Sequence, residues 1–257
     1  MKKPALSADA STPSVAPVLP PTASGPAVEL QILAGSGMMA PLREIAAQFE
    51  QATGHKLVFR FGTTPELIKL ATTGGPFDLG VAPVDVLQDA RARARFAAGP
   101  TTAIARVGLG IAVRAGAPWP DISTPDALKQ TLLKARSIAT VPASATGTRV
   151  LRMFDALGIS EAMKAKTRAQ SAPAQVVQAV AAGEIELAVF LMNVLTAPGL
   201  DVVGPVPSKL QQEVVFAAAV AASTASAQHA EAAQAFISYL IGPDAVAVIK
   251  AKGMHPG

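Results

Sequence analysis

From residue 28 onward the hydrophobic rhythm of the chain switches at short intervals between a period of two and a period near 3.6. Residues 28–33 (VELQIL) alternate and predict a strand. Residues 41–52 repeat apolar side chains at Leu42, Ile45, Ala46 and Phe49 and predict a helix, which Gly54 stops. A second strand follows at 56–61 (KLVFRF), and 62–65 opens a second helix with Pro65 suited to its first position. A third strand is expected at 77–82. Further on, the pattern predicts strands at 107–114, 137–141, 186–191 and 214–222. Helices are expected at 126–136, 149–157, 174–182, 227–241 and 243–252. Strands and helices alternating through short turns imply an α/β protein whose parallel sheets are covered by helices, here in two lobes.

Residues 1–27 break this rhythm. They are dominated by Pro, Ala, Ser and Thr, and their aperiodic pattern offers no core face, so they are expected to form a disordered tail. Lys2 and Lys3 resemble the start of an export signal. The apolar run of ~7–15 residues that should come next is missing. On that reading the protein is cytoplasmic, or its natural export signal has been replaced.

Composition narrows the chemistry mainly by exclusion. Half of the 257 residues are hydrophobic, enough for a sizeable core, yet no apolar run reaches the roughly 18 residues of a membrane-spanning helix. The formal charge of +4 is too dilute for a nucleic-acid surface; the run Arg91, Arg93, Arg95 is short and reads as a solvated face. With no cysteine, and with His55, His229 and His255 scattered, no metal site is expected, and no cofactor is implied. The phosphate-binding fingerprints GxGxxG and GxxxxGK[ST] are absent, as is the GxSxG elbow of hydrolases.

Three loops rich in Gly, Ser and Thr stand between a predicted strand and a predicted helix. They hold Ser36 and Gly37, then Thr63 and Thr64, then Ser144, Thr146, Gly147 and Thr148. The first turn of a helix carries unpaired N–H donors and a partial positive charge, so each loop can receive an anion. Each can equally be a plain helix cap, because Ser and Thr are favoured there. Arg60, Arg106 and Arg149 lie at strand ends or beside these loops, and Arg149 is placed to clamp a carboxylate. Glu66 and Asp85 are the acids that a proton-transfer enzyme could use, although both read more simply as helix or loop carboxylates.

The stretches ILAGSGMMAPLREIAAQFEQATGHKL, FRFGTTPELIKLATTGGPFDLGVAP and AEAAQAFISYLIGPDAVAVIKAKGM resemble type 2 periplasmic solute-binding proteins. The likeness is to the molybdate-binding branch, whose sister branch includes aconitate isomerase. It implies two lobes, each a mostly parallel sheet flanked by helices, joined by two crossing strands near 105–114 and 212–222. The first lobe would comprise 28–104 with 216–257, and the second 105–215. It also implies a small anion, an organic acid or an oxyanion, held between the lobes by a periplasmic monomer serving an ABC importer. The alternatives are an isomerase of a small di- or tricarboxylic acid and a cytoplasmic ligand sensor; an enzyme is the less favoured reading.

Carried over residue by residue, the anion contacts fall on Ser36, on Thr64 and near Thr146 or Gly147, with Gly37, Met38, Thr63 and Ser144 as further candidates in the same loops. Further contacts fall on Val177 and Phe190, with Arg106, Thr148, Arg149 and Asn193 beside them. Phe190 stands where the molybdate branch has a tyrosine, so one oxyanion donor is missing. The apolar wall Phe190-Leu191-Met192 favours an anion carrying some hydrocarbon.

Overall fold

A computed structural model describes residues 26–257. The expectation for the tail lies outside the described residues, apart from the exposed Pro26 and Ala27. The first lobe starts with β1 (Glu29–Gly35), α1 (Met39–Thr53), β2 (Lys56–Gly62), α2 (Thr64–Thr73), β3 (Leu79–Pro83), α3 (Val84–Leu87) and β4 (Thr102–Val107). The second lobe follows with β5 (Leu109–Arg114), α4 (Pro125–Lys134), β6 (Ile138–Thr140), α5 (Ala145–Ala156) and α6 (Ser160–Lys166). It continues through β7 (Thr167–Ala169), α7 (Pro173–Ala181), β8 (Leu187–Leu191), α8 (Met192–Leu195) and β9 (Leu200–Pro205). The chain then returns through β10 (Val214–Val220), α9 (Ala227–Leu240), α10 (Pro243–Ala251) and β11 (His255–Pro256).

Local chemistry accounts for the boundaries. The buried stripe Leu42, Ile45, Ala46, Phe49 seats α1 on the sheet, and Gly54 ends the helix with φ at 75°, a conformation that costs glycine least. Thr63 and Glu66 form a reciprocal capping box at the start of α2. Ser144 caps α5 by accepting the Gly147 N–H at 3.0 Å. Arg60 donates to the carbonyls of Gly74 (2.6 Å) and Pro76 (2.7 Å), fixing the turn between α2 and β3.

Two sheets result, ordered β11-β4-β10-β3-β1-β2 and β7-β6-β8-β5-β9. They are mixed rather than mostly parallel. β1, β2 and β3 run parallel, as do β7, β6 and β8, but β10, β4 and β11 pair antiparallel in one sheet and β5 and β9 do so in the other. The antiparallel members are largely the strands on either side of the two passages between lobes, where the chain turns back on itself. One passage runs straight from β4 into β5 through Gly108. The other is residues 206–213; it lies ahead of 214–220 because that strand pairs along its length with β3 and β4.

Asp78 is a buried acid with a structural task. It is 4% exposed, and its Oδ2 accepts the backbone N–H of Gln31 at 2.8 Å, closing the entry between β1 and β3. Asp78→Ala should lower stability by about 1–3 kcal/mol, because it leaves the partly buried Gln31 N–H without this acceptor. Urea unfolding of the variant should show a lower midpoint at unchanged slope.

Candidate functional site

The C-terminal ends of β1, β2 and β6 each run into a short loop and then a helix, and these three loops meet between the lobes. Ser36 and Gly37, Thr63 and Thr64, and Ser144, Ala145 and Thr146 all line one cavity. Pro83, Phe190, Leu191 and Phe216 close its apolar side, and Pro173 reaches it from the first turn of α7. Among the described residues, no charged one lines it. The N-terminal ends of α2, α5 and α7 and of the 3-10 turn before α1 (Ser36–Met38) therefore abut one small space, each adding partial positive charge.

The cavity is tight. Its volume is about 30 Å³, room for two or three waters at roughly 10–15 Å³ each. Contacts across the cleft explain this. The Ala145 N–H donates to Thr64 Oγ1 at 2.8 Å, and Asn193 Nδ2 donates to the Gly37 carbonyl at 2.8 Å. Arg149 Nη1 meets Asp85 Oδ1 at 2.6 Å, with the arginine side chain 12% exposed. Among the described residues, one ion pair and two hydrogen bonds thus hold the lobes shut. Glycine is needed in the first loop because the Phe216 ring lies against it: a Cβ on Gly35 would come within 2.8 Å of Phe216 Cε1.

Seven of the residues singled out from sequence line the cavity: Ser36, Gly37, Thr63, Thr64, Ser144, Thr146 and Phe190. The other seven stand elsewhere. Met38 is fully buried in the first lobe's core, turned inward by the 3-10 turn. Arg106 faces Glu213 at 3.8 Å and donates to the Pro256 carbonyl, beside the second passage. Gly147 and Thr148 spend their hydrogen bonds on Ser144, within the α5 cap. Arg149 is held by Asp85 and the Ala145 carbonyl, so it does not point at the cavity as a carboxylate clamp. Val177 packs against the core, and Pro173 takes its expected place in the wall. Asn193 bridges the lobes, leaving its buried Oδ1 without a partner. Sequence reading missed Pro83 and Phe216, which reach the cavity only because β3 and β10 lie side by side.

The profile described as bacterial extracellular solute-binding protein matches residues 30–255. The chain belongs to that family. This solute-binding protein is 35% identical over 246 residues to an aconitate isomerase from Pseudomonas sp, covering 92% of this chain and 91% of that relative. It is 30% identical over 234 residues to the molybdate-binding protein ModA of Azotobacter vinelandii, covering 88% and 90%. Among solved structures, the Azotobacter vinelandii periplasmic molybdate-binding protein superposes with a TM-score of 0.73 at 21% identity, covering 88% of this chain and 98% of that one. The sulfate-binding protein SubI of Mycobacterium tuberculosis H37Rv superposes at 0.67 with 17% identity, covering 89% and 87%. At these identities the structures show the fold: two lobes of mixed sheet flanked by helices.

Proposed function

We propose that this solute-binding protein holds a small anion between its lobes in the periplasm and delivers it to an ABC importer. The observation that carries the reading is the convergence of Ser36, Thr63, Thr64, Ser144 and Thr146 with several helix N-termini on a cavity lined by neutral residues. Neutral donors fixed in place bind an anion without a counter-charge, and first-turn N–H groups have no acceptor within the helix; in the shut cleft those of Ala145 and Gly147 are held by Thr64 and Ser144. The apolar side formed by Phe190, Leu191 and Phe216 favours an organic acid over a bare oxyanion. Because the cavity is small as it stands, binding requires the lobes to part and re-close around the ligand.

One observation favours a second reading, an isomerase of a small unsaturated or hydroxylated acid. Asp85 and Arg149 face each other across the cleft, next to the cavity residues Pro83 and Ala145, and among the described residues the buried Asp85 Oδ2 has no partner. A carboxylate so placed can move a proton once a ligand displaces its arginine.

Calorimetry with molybdate, sulfate, citrate and trans-aconitate tests the first reading. At least one should bind, and Ser36→Ala should weaken it about tenfold, the loss of one hydrogen bond to a charged group. If none of the four binds, the anion reading falls. Proton NMR of aconitate incubated with the protein separates the two readings: cis–trans interconversion supports the isomerase, and none supports the carrier.

A further inference from the structure

A second and much larger cavity, about 980 Å³, opens beside the second passage and shares no residue with the cleft. One wall is the second lobe's loop 119–123, between β5 and α4. The other is the end of β9 with the passage, from Val203 to Glu213. Trp119, the only tryptophan of the chain, stands 62% exposed at its edge. A tryptophan left so far in water is the side chain that contributes most when a partner covers it. Pro120, Pro205 and Pro207 stiffen the walls, so covering the groove orders little that is not already ordered.

The acids that line the groove carry the opposite sign to the chain as a whole, with the exposed Lys209 of the passage and Arg106 as the neighbouring cations. Asp121 and Glu213 are the charged residues that line the groove, on a protein of net charge +4. The Ser123 N–H and hydroxyl hold the Asp121 carboxyl below the usual carboxylate range, so it stays ionised. Glu213 is partly matched by Arg106 at 3.8 Å.

The groove is also built on the hinge. Gln211, in its wall, lays its amide against Leu109 of the other passage. Oε1 accepts the Leu109 N–H at 2.7 Å and Nε2 donates to the Leu109 carbonyl at 2.8 Å, a side-chain copy of a sheet rung. Position 108 must stay free of a side chain for this, since a Cβ there would lie 2.8 Å from Gln211 Cδ. Gln211 thus ties the groove wall to the first residue of β5, next to the passage at Gly108.

We propose that this groove is a docking surface for a basic, apolar segment of a partner protein, and that Gln211 couples its occupancy to the angle between the lobes. An arginine or lysine on the segment meets Asp121 and the Trp119 face, while its apolar neighbours cover the partly buried Val203 and the exposed Pro205. The proposal stands whatever the cleft binds.

The probe is a capped heptapeptide of alternating leucine and arginine, with a leucine–glutamate counterpart as control, followed by Trp119 fluorescence. The arginine peptide should give a saturable emission shift and the glutamate peptide none. Asp121→Asn with Glu213→Gln should weaken binding at least tenfold. Equal binding of both peptides, no change at Trp119, or indifference to the double substitution would overturn the docking surface. Free arginine amide binding as tightly as the peptide would overturn the protein partner in favour of a small cation.

Coupling is read by energy transfer between dyes on Lys69→Cys in α2 and Arg152→Cys in α5, both exposed positions in a chain without native cysteine. The arginine peptide should change the transfer in this background and leave it unchanged once Gln211→Ala is added. Unchanged transfer with Gln211 present would overturn the coupling. Should Gln211→Ala not fold, Gln211→Glu keeps the acceptor for the Leu109 N–H, removes the donor and makes the same comparison.

Discussion

Phe236→Ala should destabilise the protein by about 3–5 kcal/mol, the usual cost of emptying a large aromatic site in a core. Phe236 is fully buried on α9, with its ring centroid 4.9 Å from that of Phe49 on α1 and 6.5 Å from that of Phe59 on β2. It is the point where the returning C-terminal helices lock onto the first strands and helix of the same lobe. Little in this cluster can collapse into the gap, because Phe49 is itself fixed by Tyr239 and the sheet. Differential scanning calorimetry should show Tm lower by roughly 10 °C, taking about 2–4 °C per kcal/mol for a chain of this length. A fall of only a degree or two would mean that α9 is held by something other than this contact.

Gly147→Ala should abolish most anion binding while leaving most of the fold in place. A Cβ at this position would lie 2.2 Å from the Val141 carbonyl oxygen and 2.5 Å from Pro142 Cα, both backbone atoms with no room to yield. The start of α5 must then swing away from residues 141–144. That breaks the Ser144 cap, displaces Thr146 and pulls the Ala145 N–H from Thr64. The expected loss is at least about thirtyfold in Kd, roughly 2 kcal/mol. Overpacking of this kind costs stability on the order of 1–3 kcal/mol, so the variant should still give a folded far-UV spectrum. Wild-type affinity in a folded Gly147→Ala would show that the α5 loop does not hold the ligand.

The features that sequence reading captured are those written in consecutive residues. The opening of α2 at Thr63, the stop at Gly54 and the stripe of α1 each lie within one turn of the residues that produce them, whereas α5 starts at Ala145 under a Ser144 cap, four residues ahead of the expected 149. Hydroxyls before helices follow from the same local logic, which is why three separate loops could be singled out and brought to one place. What escaped depends on distance along the chain. β7 and β11 are three and two residues long, and neighbouring strands alone make them strands. Arg149 offered its type and position but not its partner, which is 64 residues away at Asp85. Met38 looked like part of a binding loop, and only the 3-10 turn decides that it faces inward. Phe216 carries no local sign of lining a cavity; pairing of β10 with β3 puts it there.

The shut cleft has a kinetic consequence. A solute can enter only after the Thr64–Ala145, Asn193–Gly37 and Asp85–Arg149 contacts have released, so capture is gated by the protein's own opening. At low solute concentration the observed rate rises in proportion. At high concentration it levels off at the opening rate, in the μs–ms range of collective lobe motions. Apparent affinity is likewise reduced by the fraction of molecules that are open at any moment. Residues 85 and 149 can therefore set the apparent affinity through the opening equilibrium alone.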